Sequence, residues 1–313
     1  MKFHKIWAGF LFVLFYINLG TCQVSKTNNF VPSFIPLIPN KFIYFENLTY
    51  ILQENDTLVD LAVKFKVGYY NLTLANPEID PWVPPPKKKI IIPKKILIPE
   101  EFLLMSNNII IINLPEMRLY YFKNEKFFVA PIGIGVENSL PPLGTYIIVR
   151  KKEKPIWYPP PSVKKEDPTL PDAVPPGPEN PMGEYALYLS RGLYAIHGTN
   201  KIYSIGRRST HGCIRLYPED IKFLFENVPV GTLVKITYEP YKLAIENGKI
   251  YLQAFPDIEN LIKVPLKHII QKLDFITEKK NIPSYKINLN TIENILRKPD
   301  GFIYEIGEIK NKN

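Results

Sequence analysis

The residues best suited to catalysis lie close together in the last third of the sequence. Of two cysteines and four histidines in 313 residues, Cys213 lies with His197 and His211 in one stretch, and the other cysteine is Cys22. Thiolate is the reactive form of cysteine, and a neighbouring base or cation helps it to form at neutral pH. Histidine can take that proton and later return it to a leaving amine. The cluster therefore predicts a cysteine nucleophile with a histidine base.

Three other interpretations of Cys213 stay open on these residues alone. A disulfide to Cys22 is disfavoured because Cys22 lies where an export signal would be processed. A buried, inert thiol is the second alternative. A zinc site is the third, but these spacings without a carboxylate pattern make a poor one, so neither a metal nor a cofactor is expected.

The sequence around the cluster has a recognisable pattern. His197-Gly198-Thr199-Asn200 is followed by Ser209-Thr210-His211-Gly212-Cys213-Ile214-Arg215-Leu216. This resembles the L,D-transpeptidase catalytic-domain family, whose motif is His-Gly followed by Ser/Thr-His-Gly-Cys. The resemblance covers roughly residues 108–238 and includes four further segments: Pro131–Gly135, Pro142–Tyr146, Pro178–Gly183 and Gly231–Val234.

The resemblance implies roles for individual residues. Cys213 would be the nucleophile and His197 the base that takes and returns its proton. His211 would have a positioning role. Together with Gly212 and the backbone N–H of Cys213 it would line an oxyanion pocket, a task for which fixed N–H donors are well suited.

Five further residues are predicted to bind substrate: Arg215, Gly198, Thr199, Thr210 and Trp157. Arg215 could hold a stem carboxylate bidentately, with Arg207 and Arg208 as rivals and a surface salt bridge as the alternative.

The family reaction joins peptide stems of the cell wall to amines. The thiolate attacks the carbonyl of the third stem residue, expels D-Ala and leaves a thioester that an amine then cleaves. The resemblance is to the Gram-negative branch that attaches an outer-membrane lipoprotein through its C-terminal lysine. Three alternatives remain: 3-3 stem cross-linking, L,D-carboxypeptidase or hydrolase activity, and a wall-binding protein with an idle thiol.

The first residues and the charge indicate where the protein works. Residues 1–22 combine basic residues with a short apolar run and predict a signal peptide, hence a periplasmic protein without a membrane span after processing. Lipid attachment at Cys22 is a less favoured alternative. The net charge of +9 suits an anionic polymer such as cell wall, and the sequence has no nucleic-acid-binding motif.

The predicted fold is mainly β, because 31 prolines favour strands and loops over a helical bundle. A linker (23–40) precedes a small βααβ unit (41–98) that resembles a lysin motif, a glycan-binding module. Lys87-Lys88-Lys89 departs from that motif, so a mere spacer is the alternative. The catalytic domain (108–238) is expected to be a β-sandwich with a short helix, followed by a mixed α/β extension (239–313).

Local patterns predict individual elements. Gln53–Thr57 are expected to supply a turn and the N-cap of a helix, Lys123–Lys126 and Asn247-Gly248 to form hairpin turns, and Asn290 with Glu293 to cap a late helix. Residues 155–181 contain ten prolines and are expected to form an extended flap that carries Trp157 over the site, with a plain linker as the alternative.

Overall fold

The structure, a computed structural model, describes residues 31–105, 107–137, 139–192 and 194–310; the predicted signal peptide lies outside them. The strands in chain order are β1 (Ile35–Pro36), β2 (Ile43–Tyr44), β3 (Leu48–Ile51), β4 (Lys89–Ile92), β5 (Ile96–Leu97), β6 (Ile109–Asn113), β7 (Arg118–Lys123), β8 (Lys126–Pro131), β9 (Ile134–Gly135), β10 (Gly144–Glu153), β11 (Tyr185–Leu189), β12 (Ala195–His197), β13 (Arg208–Thr210), β14 (Ile214–Arg215), β15 (Leu233–Thr237), β16 (Tyr241–Glu246), β17 (Lys249–Ala254), β18 (Ser284–Ile287) and β19 (Ile303–Lys310). The helices are α1 (Leu58–Phe65), α2 (Tyr69–Leu74), α3 (Glu100–Leu103), α4 (Pro161–Glu166), α5 (Pro218–Asn227), α6 (Pro265–Lys279) and α7 (Leu289–Arg297).

A nine-stranded sheet forms the centre of the molecule, in the order β1-β8-β7-β6-β15-β10-β11-β12-β14. Adjacent strands of this sheet are antiparallel, except that β6 pairs with β15 and β12 pairs with β14 in parallel. The residues of β1 come from the segment predicted as a linker and pair with β8. The class is mainly β, as predicted.

Both faces of β6 are buried. Ile110 and Ile112 enter one core together with Ile221 of α5, whereas Ile109 and Ile111 enter a second core. A strand covered on both sides is expected to be a continuous β-branched run, which is what β6 is. The sheet is therefore covered from both sides at this strand.

The N-terminal unit has the predicted order of strand, helix, helix and strand, with β3 paired to β4. Thr57 caps α1, because its hydroxyl accepts from the Asp60 N–H at 3.0 Å. The Tyr217 hydroxyl, next to α5, donates to the carbonyls of Ala62 (3.3 Å) and Val67 (3.2 Å). These bonds attach the βααβ unit to the helix behind the catalytic loop.

The C-terminal extension is a four-stranded sheet, β16-β17-β19-β18, packed against α6 and α7. The predicted Asn247-Gly248 turn joins β16 to β17, with positive φ at both residues. The predicted cap at Asn290 was wrong by two residues, since Asn288 Oδ1 accepts from the Thr291 N–H at 3.1 Å. Asn288 and Asn290 lie two positions apart and have equal capping propensity, so the sequence alone did not distinguish them.

The proline-rich segment also differs from expectation. It was predicted to be extended throughout, but it contains the helix α4 with Pro161 in its first turn. Proline is tolerated there because the first helical N–H groups have no intrahelical partner. Trp157 pairs through its backbone with Val174, which closes the segment on itself. Within the described part of the chain, no helix is long and apolar enough to cross a membrane.

Candidate active site

The predicted catalytic residues lie on one face at the end of the central sheet. Ile196 pairs with Ile214 and His197 with Arg215 in a parallel register. Both isoleucines enter the core, and alternate residues of a strand face opposite sides. His197, Cys213 and Arg215 therefore share the face that points away from the core.

His197 is buried, with 5% of its surface exposed, and its Nδ1 lies 2.6 Å from the Gly198 carbonyl oxygen. A carbonyl only accepts, so Nδ1 carries the proton and Nε2 is left as the acceptor. Burial, together with the charge of Arg215, lowers the pKa of His197 to about 4. The imidazole is consequently neutral at neutral pH and able to accept a proton.

Cys213 is half-buried and precedes β14. Burial raises the pKa of its thiol, although the Ala195 backbone and the charge of Arg215 act in the opposite direction. The resting site is therefore a thiol beside a neutral imidazole, and the proton has to move during attack.

A tight turn presents the thiol. The Thr210 hydroxyl donates to the Cys213 carbonyl oxygen at 2.7 Å and accepts from the Gly212 N–H at 3.2 Å. Gly212 has φ +110°, and a Cβ there would lie 2.7 Å from a Tyr194 ring carbon, so only glycine fits. Its N–H already donates to the Thr210 hydroxyl, which gives Gly212 a steric role in this turn.

The environment of His211 differs from that of His197 and Cys213. It is half-exposed, and its Nε2 lies 3.0 Å from the Glu166 carboxylate at the end of α4. This pair connects the catalytic loop to the proline-rich flap, which suits the predicted positioning role.

The other predicted residues fall into two groups. Thr210, Trp157 and Arg215 line a cavity with Cys213. Gly198 and Thr199 line neither cavity beside the thiol: Gly198 orients His197 through its carbonyl, and the Thr199 hydroxyl accepts from the Lys201 N–H at 2.9 Å. Both residues therefore have supporting roles outside the cavities.

Arg215 is the arginine that reaches the site. Its Nη1 donates to the Ser209 carbonyl at 3.4 Å, while its buried Nε has no hydrogen-bond partner among the described residues. Of its rivals, Arg207 stacks on Tyr69 with 3.6 Å between guanidinium and ring centre, and Arg208 pairs with Glu259.

Two cavities meet at the thiol. The first, here the His211 cavity, has a volume of about 340 Å³ and is lined by His211, Thr210 and Arg215. The second, here the Arg150 cavity, has a volume of about 600 Å³ and is lined by Arg150, Lys152, Tyr158 and Tyr188. Trp157, Tyr194, His197 and Cys213 line both. Because both cavities open onto the thiol, two substrates can reach it one after the other.

Sequence reasoning missed Glu166, Arg150, Tyr188 and Tyr194. None of them belongs to a motif. Arg150 and Tyr188 reach the site through the pairing of β10 with β11, Glu166 through the folding of the flap, and Tyr194 because it directly precedes β12. Within the described residues, no group of three or more histidine, cysteine, aspartate or glutamate side chains is placed to hold a metal ion.

Comparison with known proteins supplies independent findings. A family model described as the L,D-transpeptidase catalytic domain matches residues 107–236. The chain is 41% identical over 253 residues to the probable L,D-transpeptidase YbiS of Escherichia coli K12, covering 78% of this chain and 80% of that protein. It is 38% identical over 236 residues to the probable L,D-transpeptidase ErfK/SrfK of Salmonella typhimurium, covering 70% and 75%. Among solved structures, L,D-transpeptidase 3 of Mycobacterium tuberculosis overlaps 41% of this chain and 60% of its own, with 15% identity and a TM-score of 0.34.

Proposed function

This chain belongs to the L,D-transpeptidase family, and on that premise we propose that Cys213 and His197 carry out its acyl transfer on peptidoglycan. The observation that carries the proposal is the placement of a neutral, buried imidazole and a thiol on one sheet face, where both line the two cavities. A wall-binding protein with an idle thiol would have no use for this arrangement.

In the first half of the proposed reaction, the thiol attacks a carbonyl of a peptide stem. His197 Nε2 takes the Cys213 proton as the sulfur–carbon bond forms, and the Cys213 N–H stabilises the oxyanion. The imidazolium then returns the proton to the leaving D-Ala nitrogen, and a thioester remains. The bond from His197 Nδ1 to Gly198 holds the ring in the required tautomer throughout.

In the second half, an amine attacks the thioester carbon. His197 accepts the proton that the amine loses, the carbon–sulfur bond breaks, and the sulfur recovers a proton. We propose the C-terminal lysine of an outer-membrane lipoprotein as the principal acceptor, with export to the periplasm. A stem amine would give 3-3 cross-links instead, and water would give a carboxypeptidase.

We assign the donor stem to the His211 cavity because Arg215 lines it. A guanidinium can hold a stem carboxylate through paired, charge-assisted hydrogen bonds. The buried Nε of Arg215 has donor capacity that no described residue uses. The His211–Glu166 pair keeps the flap, and with it Trp157, over this cavity.

The test is intact mass of the purified protein after incubation with a carbapenem, an acylating agent that also serves as a donor analogue. We expect one adduct on the wild type and none on Cys213→Ala. Absence of the adduct on the wild type would contradict an activated thiol and favour the wall-binding alternative. Product analysis of digested peptidoglycan then separates transfer to lipoprotein, stem cross-linking and hydrolysis.

We further propose that the βααβ unit holds glycan in a cleft of about 470 Å³ beside the catalytic domain. Trp82 is 60% exposed and Tyr203 is 51% exposed at this cleft, and the Arg207 guanidinium lies 5.6 Å from the Trp82 ring. Exposed aromatic rings offer sugars a flat apolar surface, with polar groups at their edges.

Trp82→Ala is expected to weaken co-sedimentation with purified peptidoglycan about tenfold, the effect of losing about 1.4 kcal/mol from a central aromatic contact. Phe275→Ala, which removes an aromatic ring of equal exposure (61%) on α6, is the matched control. Equal binding by both variants would favour the spacer alternative for this unit.

A further inference from the structure

The Arg150 cavity has a basic lining whose charges no carboxylate of the described residues balances. Arg150 and Lys152 line it, and neither forms an ion pair with a carboxylate among the described residues. The Arg150 guanidinium lies over the Tyr188 ring, 4.1 Å from its centre. This stacking fixes the direction of the cation while leaving its N–H edges available to an anion.

The register of the sheet aligns this cation with the thiol. Arg150 pairs with Tyr188, and Tyr188 pairs with Ala195 of β12. Continuing the β12/β14 register places Cys213 beside Ala195. Three strand spacings, about 14 Å, therefore separate the backbones of Arg150 and Cys213. The side chain of Arg150 and one long side chain of a ligand can together span this distance.

An apolar strip continues the cavity across the same sheet face. Val149 lines the cavity and is 51% exposed, and Ile147 and Leu233, each 42% exposed, are directly paired on β10 and β15. Core-facing neighbours such as Ile148 and Val234 are fully buried, so the strip is a property of this face alone. A small amine would not need such a surface, whereas a polypeptide would.

We propose that the Arg150 cavity is the acceptor site and that its occupant is the C-terminal end of a polypeptide whose last residue carries a side-chain amine. This inference rests on the proposed function. Arg150, assisted by Lys152, binds the terminal carboxylate; the amine extends to the thioester on Cys213; and the preceding residues lie on the strip formed by Val149, Ile147 and Leu233. The amine nitrogen bonds to the acyl carbon, the carbon–sulfur bond breaks, and the amine's proton passes through His197 to the sulfur.

The charge arrangement explains why donor and acceptor do not exchange places. The donor's carboxylate meets Arg215 in one cavity, and the acceptor's carboxylate meets Arg150 in the other. Each substrate is thus held by its own cation on its own side of the thiol.

The test uses two acceptor peptides that differ in a single group. Both end in lysine, one with a terminal carboxylate and the other with a terminal amide, and transfer from a tetrapeptide donor is followed by mass spectrometry. The wild type is expected to prefer the carboxylate by about tenfold or more, as for a charged hydrogen-bonded contact. In Arg150→Gln/Lys152→Gln the preference should fall to about one, because the rate with the carboxylate peptide drops.

Lys87→Gln/Lys88→Gln removes two exposed lysines elsewhere and serves as the matched control, with the wild-type preference expected. A wild type that does not discriminate, or a double variant that still does, would overturn the proposal. Acyl-enzyme formation is measured first in each protein by intact mass. If the wild type forms no acyl-enzyme, the proposed function fails; if it does and discrimination is absent, only the acceptor assignment fails.

The strip is tested with acceptor length. Ile147→Ser/Leu233→Ser should slow transfer to a long acceptor polypeptide that ends in lysine. Transfer to a dipeptide that ends in lysine should stay near the wild-type rate. Equal rates of this variant and the wild type on the long acceptor would remove the strip from the proposal and contradict a polypeptide occupant.

Discussion

His197→Gln is expected to lower the rate of acylation by a carbapenem at pH 7 by roughly 10²–10⁴-fold, the usual contribution of a positioned general base. The thiol provides the physical reason. Since burial raises the pKa of Cys213, less of it is ionised at pH 7 than the few per cent of an ordinary cysteine. Without an acceptor for its proton, the sulfur has to react through that small thiolate fraction.

The pH dependence gives a sharper distinction than the rate at one pH. In the wild type His197 is neutral above its pKa of about 4, so acylation should be nearly level from about pH 5 to 8. In His197→Gln the rate should follow the thiolate, rising about tenfold per pH unit until the raised pKa of Cys213 is reached. The two profiles therefore converge as the pH rises.

His268→Gln, at a half-buried histidine of α6, is the matched control and should retain the wild-type profile. His211→Gln should have a smaller effect than His197→Gln, because His211 contacts the flap through Glu166. A level profile in His197→Gln would show that another group takes the proton and would contradict the assigned base.

Features that depend on adjacent residues were predictable from the sequence. The helix cap within residues 53–57 and the Asn247-Gly248 turn are set by side chains a few positions apart. The proposed catalytic pair was also identified from local sequence, because His197 and Cys213 stand in a family motif. The two side chains share a sheet face because β12 pairs with β14. The motif implies this pairing but does not specify its register.

Features that depend on distant pairing were not predictable. Arg150 reaches the site only because β10 pairs with β11, and Glu166 reaches His211 only because the flap folds back. The proline pattern of the flap predicted extended chain and gave no sign of α4, since proline at the start of a helix is as acceptable as proline in a loop. The sequence therefore indicated the candidate catalytic residues but not the shape of the two cavities.

The strongest such long-range feature is a buried charge network that joins the catalytic sheet to the C-terminal extension. Glu116 and Lys242 have fully buried side chains, 2.6 Å apart. Glu116 also accepts from Arg118 (2.8 Å), Tyr120 (2.6 Å) and Asn113 (3.1 Å). Burial alone would raise the pKa of Glu116, but Lys242 and Arg118 outweigh it, and the pKa is lowered. The carboxylate is thus charged and depends on its partners.

Lys242→Met is expected to lower the free energy of unfolding by about 3–5 kcal/mol, because it leaves a buried carboxylate with one cation fewer. For a protein of this size, that corresponds to a fall in Tm of roughly 10 °C in thermal denaturation followed by circular dichroism. Lys249→Met is the matched control on the neighbouring strand. Its ion pairs with Glu305 and Glu308 are exposed to solvent, so its effect should stay below about 1 kcal/mol.

The triple variant Glu116→Leu/Arg118→Leu/Lys242→Met decides whether the network itself stabilises the fold or whether only an incomplete network is destabilising. It removes every charge of the network, including the Arg118 guanidinium that lies 2.8 Å from Glu116, so no buried charge is left uncompensated and this variant should be more stable than Lys242→Met alone. If the losses of the single variants simply add, the network itself is stabilising and the incomplete-charge explanation is wrong. Either protein can then be acylated with a carbapenem: because Cys213 precedes β14, a strand that the network does not contact, the adduct should still form below the lowered Tm.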